Sequence, residues 1–421
     1  MATAERTARQ EWRAHWGLVF CATLGMSLLA LPPVALGLFM EPLSREFGWS
    51  RASISAGMMV FAVVSTPLVP FAGALADRFG SRRVLIPGLV LTGAAFAAFG
   101  LLTPSLWHWF AMWVVFTLAQ LLNRSPIWNR TVSAAFNTSR GLALAVLMAG
   151  IALGQLLTPT IASALIRDYG WRSAYGLLAL GWYGLTLIAT VLLFREPRAA
   201  AATAGAADTS PAPASSGGMT LKEALRDPRM LRIGFAILTQ STLYTGFTLH
   251  LFPLLKGLGM TDKDSAFITG LIGIATLAGQ LLTGWLADRV RGSLLPVSSF
   301  LLPGVGYLLI LQGSSTWALL TLGVLIAGYG SGAAINITTY LTTRYAGVRH
   351  FGKIFGLISS LMGLGAGLGP LIGGRIYDYA GTYTPYLLLG TGVALIAALA
   401  VLRLGAYPEF KPEPAGRTEL S

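Results

Sequence analysis

Apolar residues in this chain come in long unbroken runs. They show neither the alternation of a half-buried strand nor the one-sided spacing of a surface helix. The stretch WHWFAMWVVFTL (107–118) carries no acidic, lysine or arginine residue. Twelve such windows recur, at 17–40, 52–75, 84–102, 106–135, 141–166 and 172–194, then 231–255, 265–287, 293–312, 316–343, 353–376 and 382–405. Each is long enough to cross a hydrocarbon core of about 30 Å as a helix. The pattern predicts an all-α polytopic membrane protein with twelve transmembrane helices. The more polar segment 195–230 parts them six and six. The expected organisation is an N-tail (1–16), an N-terminal six-helix bundle (17–194), a linker (195–230), a C-terminal six-helix bundle (231–405) and a C-tail (406–421). The first run is too long for the core of a cleaved leader and reads as the first span.

Composition agrees. Of 421 residues 54% are hydrophobic and 11% charged, too few charges to clothe a soluble surface of that size. The net charge of +13 would suit nucleic acid, but the basic residues lie between spans. The positive-inside rule accounts for them, so a lipid bilayer is the expected partner and nucleic acid is not. With the N-terminus in the cytoplasm, Lys and Arg are about threefold richer on that side, which predicts that both termini are cytoplasmic. The one cysteine, Cys21, excludes an intramolecular disulfide. Segment 199–218 is rich in Ala, Pro, Ser and Gly and reads as a flexible linker. Behind it, Thr220 and Glu223 have capping-box spacing, which predicts a short amphipathic helix.

The two halves echo each other. GALADRFGSRR (73–83) matches GWLADRVRG (284–292), with Asp77 and Asp288 offset by 211 residues. The glycine-rich stretches around Pro159 and Pro370 repeat with the same offset. Duplication of a six-helix unit is implied, an arrangement used by many secondary transporters.

GALADRFGSRR resembles the loop 2–3 signature of the major facilitator superfamily. FGWSRASIS (47–55) and AAFNTSRGLALAVLMAG with GWRSAY (134–175) are similar to the bacterial monocarboxylate-transporter-like group within it. The resemblance implies the major facilitator fold and alternating access in a bacterial inner membrane, with a substrate held between the halves by helices 1, 4, 5, 7, 8 and 10. It further implies a cytoplasmic gate. Asp77, Arg78 and Arg82 would latch the bundles, Gly73 would permit close packing and Gly80 would turn the loop. Asp288 and Arg289 would form a weaker second latch. A carboxylate there gains from the amides and partial positive charge of a helix N-terminus. GAGLGPLIGG (365–374) has the spacing of an antiporter motif, but in helix 11 instead of helix 5; it reads as a close-packing seam.

No Asp or Glu falls in the interior of a span, whereas Arg124 and Arg130 lie inside the fourth. A charge within a span marks function by default, and a guanidinium suits a carboxylate. Arg124 lies about 9 Å deeper than Arg130 by helical rise. For Arg124 a cavity role stands against a structural hydrogen-bond network; for Arg130 it stands against snorkelling to headgroups. Pro126 is expected to bend the helix between them. Asn123, beside Arg124, and Tyr244, Asn336 and Tyr340 on helices 7 and 10 are further candidates for substrate contact. Carriers of the resembled group commonly place an arginine in helix 8, with an acid one turn before it; here those places hold Gln280 and Thr276. His250 is the candidate proton carrier, although its place near the end of helix 7 reads more as a solvated interface histidine. The Trp-rich run 107–113 reads as an aromatic belt.

No phosphate-binding glycine loop, metal-ligand spacing or nucleophile triad occurs, so neither an enzyme nor a cofactor is expected. The function expected is secondary transport of an organic anion, a carboxylate, by proton symport and as a monomer. The alternative is an exporter of amphipathic compounds.

Overall fold

The computed structural model describes residues 7–195, 218–287, 289–290, 292–313, 316–347, 350–405 and 407–408, less the side chains of Pro70, Gly73 and Asp77. Two compact units emerge from the packing. The first takes the described chain up to residue 195 together with Phe247–Ile274 and Pro370–Thr382; the second takes 218–246, Ala275–Gly369 and the chain from Tyr383.

In chain order the first half holds α1 (Ala8–Ser27), α2 (Leu31–Phe47), α3 (Arg51–Phe79), α4 (Ser81–Ala98), α5 (Leu106–Gln120), α6 (Ser125–Ala135), α7 (Arg140–Leu178) and α8 (Gly184–Leu193). The second half holds the four-residue α9 (Leu221–Ala224), then α10 (Pro228–Gly257), α11 (Asp262–Ala287), α12 (Leu294–Gln312), α13 (Trp317–Ala346), α14 (Phe351–Ala380) and α15 (Thr384–Val401).

Among the described residues nine helical runs have the length and hydropathy of a membrane span. Twelve predicted spans map onto these helices for identifiable reasons. The run Arg140–Leu193 holds two spans, parted at Gly170, whose φ of 75° only glycine adopts without strain. The fourth span is broken into α5 and α6, each too short to count. The seventh, α10, is long enough at 30 residues but carries the polar stretch TQSTLYTGFTLH.

Packing follows membrane rules. Large apolar side chains face outward (Leu180 and Leu101 are each 75% exposed), while helix seams are lined by small residues. On α7, a Cβ added to Gly154 would lie 2.3 Å from the Ser27 carbonyl oxygen of α1, and one at Gly150 would lie 2.2 Å from that of Thr23. Buried threonines return their hydroxyls to the carbonyl four residues back, as Thr92 does to Gly88 at 2.6 Å and Thr117 to Trp113 at 2.6 Å. These hydroxyls are then satisfied without water, as hydrocarbon surroundings require.

The Trp-rich run departs from its reading as a belt. Trp107 is exposed, but Trp109 and Trp113 are buried among Phe99, Phe116 and Tyr175. Helical spacing puts residues 109, 113 and 116 on one face, and that face turns inward. The motifs FGW and GWRSAY meet around Glu46. Trp171 Nε1 and Arg172 Nη2 each donate to its carboxylate at 2.6 Å, and Arg172 Nη1 donates to the carbonyls of Gly100 and Leu102. These bonds, that from Arg172 above all, hold the Glu46 carboxyl below its usual range.

The capping box at α9 is complete: Glu223 N donates to Thr220 Oγ1 and Thr220 N to Glu223 Oε2 at 2.8 Å. Met219 N donates to Ala346 O, tying this segment to the end of α13.

Candidate functional site

The fourth span breaks at its charged residues. After Gln120 the helix tightens into a 3-10 turn, Leu121–Asn123, and Arg124 is extended (φ −70°, ψ 153°) before α6 begins at Ser125. Pro126 causes this. It lacks an amide hydrogen and its ring would clash with the carbonyl four residues back in a continuing helix, whereas the first turn of a new helix tolerates it. The sequence reading allowed a bend here; the structure has a full interruption. Arg124 thus sits at the N-cap of an 11-residue half-helix, whose first turn offers partial positive charge.

Around the break, Asn123 Nδ2 donates to Thr92 Oγ1 at 2.7 Å, and Trp128 Nε1 donates to the Asn123 carbonyl at 3.3 Å. Asn123 is therefore a fixed, buried support. The Arg124 guanidinium lies 5.5 Å from the Phe61 ring centroid, and no carboxylate pairs with it among the described residues. Arg130 lies on α6 and is half-buried.

His250 is fully buried, which corrects its reading as a solvated histidine. Its Nε2 donates to the Pro370 carbonyl at 2.8 Å, with Ser55 Oγ 3.5 Å away. A carbonyl can only accept, so this nitrogen carries a proton. The ring fits because α14 presents glycine: a Cβ at Gly373 would lie 2.6 Å from His250 Cδ2. On the same helix, Gly374 lets the backbone of Arg51 and Ala52 approach to 2.7 Å of where a Cβ would be. The GAGLGPLIGG stretch serves close packing at these positions.

The remaining candidates for substrate contact lie in the second unit. Tyr244 OH and Thr276 Oγ1 stand 3.3 Å apart, and Asn336 Nδ2 donates to the Gln280 carbonyl at 2.6 Å. Tyr340 accepts from Arg344 Nε at 3.3 Å and stacks edge-on against Tyr407. Its hydroxyl is engaged with the end of its own helix.

Of the gate residues, Asp288 and the surroundings of Gly73 and of the Asp77 side chain lie outside what is described. Gly80 turns the chain between α3 and α4 with φ 85°. Arg82 donates to the carbonyls of Phe194 (3.0 Å) and Val191 (2.7 Å), where the end of α8 leaves acceptors unpaired. Arg78 and Arg289 lie over the rings of Phe79 and Trp285.

Two carboxylates escaped the sequence reading. Asp378 accepts from Arg51 N and Ala52 N at the start of α3. Glu11 accepts from the amides of Asn137, Thr138 and Ser139, each at 3.0 Å, before α7. The repeat carried a signal for the first, since IYDYAG echoes IRDYG; nothing local marked the second.

The chain is similar to known proteins over nearly its whole length. The family model for the Major Facilitator Superfamily matches residues 16–312 and 256–420. The chain is 28% identical over 409 residues to monocarboxylate transporter 13 of Bos taurus, covering 90% of this chain and 88% of that protein. It is 27% identical over 424 residues to a gallate transporter of Pseudomonas putida, covering 90% and 89%. Among solved structures, a bacterial homolog of the human lysosomal transporter Spinster, inward-facing and occupied, superposes with a TM-score of 0.69 at 15% identity, covering 94% of this chain and 95% of that one. With a family model spanning nearly its whole length and twelve spans accounted for, this multi-pass membrane protein, a transporter and not an enzyme, belongs to the major facilitator superfamily.

Proposed function

We propose that the protein moves an organic anion, a carboxylate, across the bacterial inner membrane by alternating access with proton symport, both termini being cytoplasmic. The observation that carries this reading is Arg124. It stands at the interruption of a transmembrane helix, caps a half-helix N-terminus, and has no carboxylate partner among the described residues. Broken spans of this kind direct their positive half-helix ends at anionic substrate groups in other transporters. Absence of any acid from the span interiors argues against a cationic cargo. The names of the relatives, monocarboxylate and gallate transporters, point to the same substrate class.

Arg124 grips the carboxylate bidentately, Phe61 supports the guanidinium from one side, and Asn123 fixes the turn. Arg130, Tyr244, Thr276, Gln280, Asn336 and Tyr340 complete the set from which further contacts are drawn. The coupling proton travels on the substrate carboxyl or through His250. Asp77, Arg78, Arg82, Asp288 and Arg289 gate the cytoplasmic side, with Gly73 and Gly80 shaping the loop.

The test is binding. Carboxylic acids screened against the purified protein should raise the thermal midpoint, because only ligands of the folded state stabilise it. The increment should vanish in Arg124→Ala. An unchanged increment in that variant, or stabilisation by uncharged amphipathic compounds alone, would refute the assignment.

A further inference from the structure

The second unit contains a pocket whose lining holds none of the substrate contacts proposed above. It encloses about 290 Å³ where α12 begins and α13 and α15 end. Gly292, Ser293 and Pro296 line it from the start of α12, Leu341 and Tyr345 from α13, and Arg403, Leu404, Gly405 and Tyr407 from the chain after α15. Three helix ends meet here, so the pocket lies at the depth of the lipid headgroups rather than in the hydrocarbon.

Its cationic wall is built with care. Arg403 lines the pocket with φ 57°, the one left-handed residue other than glycine among the described residues. An arginine gains nothing from that backbone, so the turn is held by its surroundings. Arg232 does the holding: its Nε donates to Ala400 O at 2.6 Å, and its Nη atoms donate to the carbonyls of Leu402 and Arg403. Tyr345 OH donates to Gly405 O at 2.7 Å and pins the next turn. A second guanidinium, that of Arg229, is not in the lining but stands beside two residues that are: it lies 5.8 Å from the Tyr345 ring centroid, and its Nη2 is 3.7 Å from where a Cβ on Gly405 would stand. Among the described residues no carboxylate pairs with Arg403 or Arg229. Opposite them the Ser293 hydroxyl makes no cap bond and leaves the first turn of the 19-residue α12 open to an acceptor. Pro296, Leu341, Val401 and Leu404 supply an apolar floor.

We propose that this pocket binds the phosphate group of an anionic lipid. Arg403 and Arg229 take the phosphate oxygens, as guanidinium groups do where planar paired donors are wanted. Ser293 and the α12 amides complete the anion contacts. The apolar floor takes the glycerol and the first acyl carbons. Basic pockets at helix ends on a membrane face recognise anionic headgroups by the same chemistry. The site adjoins the proposed substrate contacts only at Tyr340, whose ring packs against Tyr407, and the proposal does not depend on them.

The experiment uses the purified full-length protein, stripped of lipid in neutral detergent, and reads its thermal midpoint. Three probes separate the contributions: dioctanoyl phosphatidylglycerol, dioctanoylglycerol without phosphate, and glycerol phosphate without chains. Phosphatidylglycerol should raise the midpoint saturably and dioctanoylglycerol should not. The rise should fall by at least half in Arg403→Gly and in Arg229→Gln, and survive in Arg403→Lys. Arg403→Gly removes the charge while suiting the left-handed backbone, so it keeps its fold. Glycerol phosphate matching the lipid would keep the site and make a free phosphate ester its occupant. An equal response to dioctanoylglycerol, or an undiminished one in Arg403→Gly, would overturn the proposal.

Discussion

The Asp378 carboxylate, near the end of α14, caps α3: Oδ1 accepts from Arg51 N at 2.9 Å and Oδ2 from Ala52 N at 2.8 Å. Ser50 Oγ, the helix's own N-cap, accepts from Ser53 N at 3.1 Å, so three amides of the first turn are satisfied, two of them from a distant part of the chain. The Arg51 guanidinium lies 3.6 Å from the Tyr377 ring centroid and closes the same contact.

Removing this cap should loosen the join. In Asp378→Ala two amides at the start of α3 lose their acceptor, at a cost of about 1 kcal/mol for a helix cap. The start of α3 should also open more often in Asp378→Ala, since the two amides that Asp378 caps no longer tie it to α14. The single native cysteine, Cys21, is buried, so a cysteine placed at Ala52 can report by itself. Labelling there should quicken in the Asp378→Ala background. Equal labelling rates in both backgrounds would mean that the cap does not shield the start of α3.

Glu11 makes stability depend on pH. Its three backbone partners, that from Thr138 first, hold its carboxyl well below the usual 4.5, at about 2. A carboxyl depressed in the folded state contributes fully above its unfolded value and loses that contribution as pH falls through the folded one. The thermal midpoint in detergent should therefore drop between about pH 5 and pH 2. Glu11→Gln should begin lower and show a flatter profile over that window. Parallel profiles would place the acid sensitivity elsewhere.

Close helix packing gives a prediction with a steric cause. In Gly154→Ala the new methyl meets the Ser27 carbonyl, a backbone atom that cannot rotate away. Overpacking of this kind costs about 1–3 kcal/mol. Gly176→Ala, where nothing lies within 4 Å of the place a Cβ would take, should cost little. Thermal midpoints of the two variants, compared side by side, check this; equal losses would mean that the seam between α1 and α7 yields.

Much of the fold was legible because hydrocarbon imposes one strong rule. Long apolar runs and the placement of Arg and Lys mark spans without tertiary information. The repeat was legible in GALADR and WLADR because duplication leaves residue order behind. Contacts made by single side chains at distant helix ends were not. Glu11 and Asp378 look like ordinary surface acids until the fold brings a helix N-terminus to each. The burial of His250 is hidden in the sequence for a related reason. Its burial depends on Gly373, on a helix more than a hundred residues away, which leaves room for the ring. Trp109 and Trp113 misled because an aromatic run at the start of a span has the same composition whether it faces headgroups or core. Arg124 stands out by charge alone, whereas the break that makes it a helix cap is visible only in the restart of the helix at Ser125, with Pro126 in its first turn.

Tyr244 and Thr276 offer a test of whether the second unit touches substrate. Their hydroxyls are 3.3 Å apart, and each variant, Tyr244→Phe and Thr276→Val, should weaken binding by about 1 kcal/mol. The double variant should lose less than the sum of the two, since they act together. Additive losses would separate them, and unchanged affinity in all three would remove both from the site.

Uptake by the purified protein in liposomes tests the central claim most directly. Labelled gallate, benzoate and lactate serve as probes, with an inward proton gradient and with Arg124→Ala and Arg124→Lys alongside the parent. The account predicts that at least one acid accumulates faster under the gradient. Arg124→Ala should lose about 10- to 100-fold of that rate, the worth of a charged hydrogen bond, and Arg124→Lys should fall between, keeping the charge but not the paired donors. Full uptake in Arg124→Ala, or transport confined to uncharged or cationic compounds, would contradict it.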